Sequence, residues 1–204
     1  MAEGMLLDDV ISRWEHPEEK PSLLLHCCCA PCASYVLEYL SEYFRISTLF
    51  CDINIKPKIE FDKRADELRR LLAMKEYKFV EQSIFSDWDE NRFDQIVVDV
   101  PFDNEGGNRC TTCFAFRLNE TASKAVGGHF SFFATTLTVS PHKNAKKINL
   151  LGENLSKSQG INYLISDFKK RNGYQRTVEL SKKYELYRQA YCGCMPTNEN
   201  GVAK

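Results

Sequence analysis

The sequence has no apolar run approaching the roughly 20 residues that a membrane-crossing helix needs, so no membrane association is expected. Its first twenty residues are too acidic and too often interrupted for a secretory signal, and the expected location is the cytoplasm. Histidine is scarce: His16, His26, His129 and His142 stand apart, with no ligand-like spacing to one another or to cysteine. Glycine is missing where an ATP-binding sheet would carry it, in the loop after the first strand, and this argues against nucleotide hydrolysis. There is also no internal repeat and no low-complexity linker. The expected organisation is a polar leader over residues 1–20 and one α/β domain over 21–204.

Cysteine is abundant instead. Eight of the nine fall into three tight groups: Cys27, Cys28, Cys29 and Cys32; Cys110 and Cys113; Cys192 and Cys194. In a reducing compartment a disulfide framework is not expected, so clustered thiols point to metal binding or redox chemistry. A structural zinc site uses four ligands, and this chain supplies about twice that number. The surplus of soft ligands suits an iron–sulfur cluster plus either a second metal or a redox dithiol. The remaining cysteine, Cys51, reads as a core residue.

Short apolar runs alternate with amphipathic stretches. Strands are expected at 22–26, 45–53, 78–82, 129–140 and 161–168. Helices follow from about Cys32 to Phe44 and from Lys58 to Tyr77, then over roughly 90–98, 110–126, 143–158 and 174–190. Strand–helix alternation predicts a five-stranded, mostly parallel sheet covered on both faces. In such a sheet ligands bind beyond the carboxyl ends of the strands, which is where "HCCCAPC" falls. Pro31 suits the first turn of the following helix, whose N-terminal dipole favours thiolates.

Charge is uneven along the chain. Residues 141–204 carry 12 Lys and Arg against 5 Asp and Glu, so the last third is basic and suits a polyanionic partner. The cysteine pair of "YCGC" can close a disulfide only as a small strained ring, and Gly193 gives the backbone freedom to attempt it. A labile bond of that kind suits electron relay, and metal ligation by either thiol is the alternative.

"HCCCAPC", "INIKP", "RCTTCFAFRL" and "YRQAYCGC" together resemble the non-cobalamin epoxyqueuosine reductases, the QueH type, from about Leu23 to Cys194. The resemblance implies a Rossmann-like sheet of the adenine-nucleotide α-hydrolase kind. It implies an iron–sulfur oxidoreductase that converts epoxyqueuosine to queuosine at the wobble position of tRNA, the last step of that biosynthesis. The cofactor it implies is a [4Fe-4S] cluster, with an adjacent mononuclear iron as an addition. Cys28, Cys29, Cys110 and Cys113 match the cluster ligands, and Cys32 stands where a second-metal ligand would be expected. Cys192 and Cys194 match a C-terminal pair read as redox-active; Cys27 has no counterpart role. Lys56 and Asp52 stand where many members carry histidine and asparagine.

Reducing an epoxide to an alkene takes two electrons, which side chains do not readily supply, and protonation of the departing oxygen. Candidate proton donors near strand ends are His26, Asp52 and Glu60. Partners are then a tRNA carrying epoxyqueuosine in its anticodon loop and an electron-donor protein or reductant. Lys143, Lys169, Lys170, Arg171 and Arg176 are the expected phosphate contacts, from a basic set that also holds Lys146, Lys147, Lys182 and Lys183. Two rival readings from the residues are a zinc-stabilised RNA-binding module and a thioredoxin-like dithiol enzyme using Cys29-Ala-Pro-Cys32.

Overall fold

The computed structural model describes residues 4–13, 19–51, 54–89, 91–101, 103, 105–170 and 172–194. Within them the chain forms six strands: β1 (Gly4–Leu6), β2 (Ser22–His26), β3 (Arg45–Phe50), β4 (Val80–Phe85), β5 (Phe132–Thr135) and β6 (Asn162–Ile165). Seven α-helices accompany them: α1 (Leu7–Arg13), α2 (Ala30–Leu40), α3 (Lys58–Ala73), α4 (Arg92–Ile96), α5 (Asn108–Gly127), α6 (Ala145–Gln159) and α7 (Gly173–Lys183). All pairings are parallel, in the order β1-β6-β5-β2-β3-β4. Among the described residues no helix is long and apolar enough to cross a membrane.

The run "SLLLH" lacks alternation because both of its faces are covered. Leu23 and Leu25 point into a core shared with α2 and α3, whereas Leu24 points into a second core shared with α5 and α6. All three are fully buried. Cys51 lies in the second core, as expected of it, and Cys27 lies in the first. The sheet is doubly wound: from β2 the chain steps outward through β3 and β4, then returns to place β5 on the other side of β2. The switch point therefore lies between β2 and β5, where the connections that leave the paired carboxyl ends run to opposite faces of the sheet and open a crevice.

Besides a helix α1 inside the leader, a β3 that ends at Phe50 instead of 53 and a β4 that runs on to Phe85 instead of 82, the structure differs from the sequence expectation in three places. The sheet has a sixth strand, β1, which comes from inside the polar leader and pairs with the edge of β6. Three residues ending in the half-exposed Leu6 are too few to show an alternation pattern. The strand expected over 129–140 stops at Thr135 and continues as a 3-10 turn over Thr136–Val139. The Thr135 hydroxyl accepts from the Leu137 amide at 3.1 Å, a local bond that competes with the sheet ladder. The last helix ends at Lys183 instead of 190; Glu185 is left-handed at φ 51°, and Leu186 turns into the core.

Candidate functional site

Beyond His26 the Cys27 amide still donates to Leu49 O at 2.8 Å, which carries β2 one residue further along β3. The Cys28 amide then donates to the Thr136 hydroxyl at 3.3 Å, crossing to the turn that follows β5. Cys29 is extended and caps α2, with Pro31 in its first turn. The chain thus leaves the switch point with three thiols on it. The sulfurs of Cys28, Cys29 and Cys32 lie within 4.8 Å of one another, the tightest potential metal-binding group among the described residues.

Hydrogen bonds from Cys28, Cys32 and Gln189 hold the Cys29 thiol well below its ordinary range, against the effect of burial. The same contacts raise Cys28 and Cys32, so a single thiolate is favoured at Cys29 while the three share two protons. Such a group becomes fully ionised only against a cation.

Cys110 and Cys113 stand in the first turns of α5, where the Gly106 amide donates to Cys110 Sγ at 3.3 Å. Cys28 packs against the core that holds Cys110. Cys113 is buried with Phe93 and Val97, and Cys194 packs on that group. Cys192 lines a cavity of about 320 Å3 together with Cys28, Cys29, Cys32, His142, Lys143, Tyr174 and Arg188. A hydrogen bond from Cys194 lowers the Cys192 thiol to about 6; Lys143 and Arg117 assist and outweigh burial. Cys194, the donor, is raised for the same reason.

Lys143 faces this group rather than the surface, with its side chain 13% exposed. Burial acts to discharge it, but the negative charge of the thiol group around it, that of Cys192 first, prevails and raises its pKa. Arg117, also buried, donates to Asn54 Oδ1. The sequence points Lys143 toward phosphate and gives Arg117 no role, although Arg117 sits one helical turn beyond Cys113 in "CFAFR", on the same face.

Other expected residues that the structure describes do not line this cavity. His26 is fully buried, with Nδ1 2.9 Å from the Thr135 hydroxyl between β2 and β5. Glu60 is ion-paired to Arg64 at 2.7 Å and accepts from the Tyr187 hydroxyl at 3.1 Å. Arg176 is engaged by Glu38 and Glu179, and Lys169 by Asp167 at 2.6 Å. Lys170 borders a different cavity of about 310 Å3, with Lys146 and the stacked Tyr35 and Tyr39. Asp52 and Arg171 lie outside the described residues.

A doubly wound parallel sheet with three thiols at its switch point, and four more from a neighbouring helix and the C-terminal segment, defines a thiolate protein of the metal-binding or redox class. Comparison with known families agrees with that class. The family described as Epoxyqueuosine reductase QueH matches residues 23–200. Among the similar proteins that bear the name Epoxyqueuosine reductase QueH are the following three. The Streptococcus pyogenes serotype M1 protein is 43% identical over 89% of this chain and 72% of its own length. The Staphylococcus aureus (strain Mu50) protein is 39% identical over 93% and 81%. The Dehalococcoides mccartyi protein is 32% identical over 86% and 91%. This chain belongs to the epoxyqueuosine reductase QueH family.

Proposed function

We propose that this chain is a cytoplasmic epoxyqueuosine reductase acting on the wobble nucleoside of a tRNA. The observation that carries the reading is the gathering of Cys28, Cys29, Cys32, Cys192 and Lys143 around one cavity at the sheet's switch point. The net reaction is balanced: the epoxide takes up two electrons and two protons, its oxygen leaves as water and a carbon–carbon double bond forms. The electrons come from an external low-potential donor.

The donor set fits an iron–sulfur group, being all cysteine sulfur and placed where helix N-termini and buried cations offset negative charge. Cys28, Cys29, Cys110 and Cys113 would hold a [4Fe-4S] cluster, and Cys32 a second iron. Bound there, the iron would supply the electron transfer that side chains do not readily provide. The chain's own residues do the rest. The Lys143 ammonium hydrogen-bonds the departing oxygen and stabilises its developing charge. His142, in the same wall, is a proton carrier. Cys192 and Cys194 exchange two electrons and two protons as dithiol and disulfide, renewing the reduced state.

The test is anaerobic. Protein reconstituted with iron and sulfide, given reductant and epoxyqueuosine-containing tRNA, should yield queuosine on nucleoside analysis, and single serine variants of the four cluster cysteines should lose iron and visible absorbance. A colourless protein that holds only zinc and leaves the epoxide intact overturns the reading.

A further inference from the structure

The described residues beyond α7, 184–194, form no helix or strand, yet they are bound to one stripe of α3. Arg70 donates to the carbonyls of Tyr184 and Glu185, both at 3.0 Å. Glu67 accepts the Tyr187 amide at 2.7 Å. Lys63 lies 3.5 Å from the centre of the Tyr187 ring. Glu60 takes the Tyr187 hydroxyl. Arg64 then reaches the end of the segment: Nη1 donates to Cys192 O at 3.0 Å and Nη2 to Tyr191 O at 3.1 Å, while Nε is held by Glu60 at 2.7 Å. The Gly193 carbonyl accepts the Lys56 amide at 3.0 Å, and the Tyr191 hydroxyl donates to Lys56 O at 3.1 Å.

Three consecutive carbonyls, those of Tyr191, Cys192 and Gly193, are therefore all fixed from one side. Positions 60, 63, 64, 67 and 70 recur at helical spacing, so a stripe that looks like a solvated charged face is instead a seat.

We infer that the polar stripe of α3 seats residues 184–194, and that Arg64, oriented by Glu60 and Tyr187, is the positioning residue that presents Cys192 to the cavity and Cys194 to Cys113. The guanidinium suits the task because its planar fork reaches two carbonyls at once, which a lysine ammonium on a flexible stem does not reproduce. Burying an ion pair is a poor way to gain stability, but it does select one geometry. Gly193 completes the seat. It lies at φ 122°, a region that L side chains rarely adopt, and an added Cβ would stand 3.0 Å from Ile55 Cγ1 and 3.2 Å from Ile55 Cα.

The catalytic consequence rests on the proposed reductase activity; the seat itself does not. Hydrogen exchange on the iron-loaded protein separates the two. In Arg64→Met, the Lys56 amide and the peptide 186–194 should exchange about tenfold faster or more, because their shared hydrogen bonds are lost. Peptides from β5 and α5 should be unchanged. Iodoacetamide should label Cys192 and Cys194 faster, and kcat should fall about tenfold while KM for tRNA is retained. Arg64→Lys should recover part of the protection. Tyr187→Phe removes one hydroxyl and should shift the same peptides in the same direction, so it decides the matter if Arg64→Met exposes the core as well. Unchanged Lys56 exchange in both folded variants overturns the seat. A wild-type protein inactive on epoxyqueuosine would overturn the functional reading and leave the exchange result to judge the seat.

Discussion

Lys143 shows how much one side chain's direction matters. It belongs to a basic stretch that reads as RNA-facing, yet it is turned into the thiol site and held charged chiefly by the Cys192 thiolate. Its effect on Cys192 is measurable. With that thiol lowered to about 6 from an ordinary 9.0, alkylation of Cys192 in the metal-free protein should follow a pH midpoint near 6. Lys143→Met should move the midpoint upward. A folded-state pKa below the unfolded value means that the thiolate stabilises the fold fully above pH 9 and loses that contribution as pH falls through about 6. Chemical denaturation of the metal-free protein across that window, compared with Cys192→Ser, would measure it. Replacing Cys192 and Cys194 together by serine should leave cluster absorbance intact while ending multiple turnover. Loss of absorbance in that variant would make them ligands.

Among the elements, α6 and β6 depend on a close approach. At Gly152, in α6, a Cβ would lie 2.4 Å from the ring of Tyr163 on β6. That ring cannot give way: it is fully buried, 4.9 Å from the Phe133 ring, and tied through its hydroxyl to Asn149 at 3.0 Å. Alanine in place of an unconstrained helix glycine gains about 1 kcal/mol, but here overpacking wins and Gly152→Ala should destabilise by about 1–3 kcal/mol, read as a lowered melting temperature. Arg176, by contrast, joins α7 to α2 through an exposed pair with Glu38, and Arg176→Ala should cost no more than about 1 kcal/mol. Apart from β1 and α1, the elements were legible from hydrophobic period. Their ends were not, because Thr135 and Glu185 end β5 and α7 by side-chain bonding and backbone conformation rather than by a change in polarity.

For the whole molecule, the net charge of -1 conceals the basic last third, so RNA affinity should depend on local lysines rather than on total charge. Binding of an anticodon stem-loop should weaken steeply with added salt as counterions are released. Reversing Lys146 and Lys170 together should reduce affinity and flatten the salt slope by about 1.5, two contacts at roughly 0.7–0.9 each. An unchanged slope would place the RNA on another face. Arg176 is a weaker candidate for this role because Glu38 and Glu179 already neutralise it.

The sequence alone determined the parts: a parallel sheet from alternating elements, a thiol cluster at a strand-to-helix junction, and family membership from four motifs spread across the chain. These are legible because they depend on neighbours a few residues away, through period, proline placement and cysteine spacing. Which thiols meet was decided by tertiary structure. Cys28, Cys29 and Cys32 come together around the start of α2, but Cys192 reaches them only because the connections after β2 and β5 leave to opposite faces at the switch point and α3 guides the C-terminal segment back to it. The inward turn of Lys143 and the use of Glu60 and Arg64 as a seat were likewise hidden. A charged residue has the same letter whether it faces water or a buried partner, and only the packing of distant segments supplies that partner.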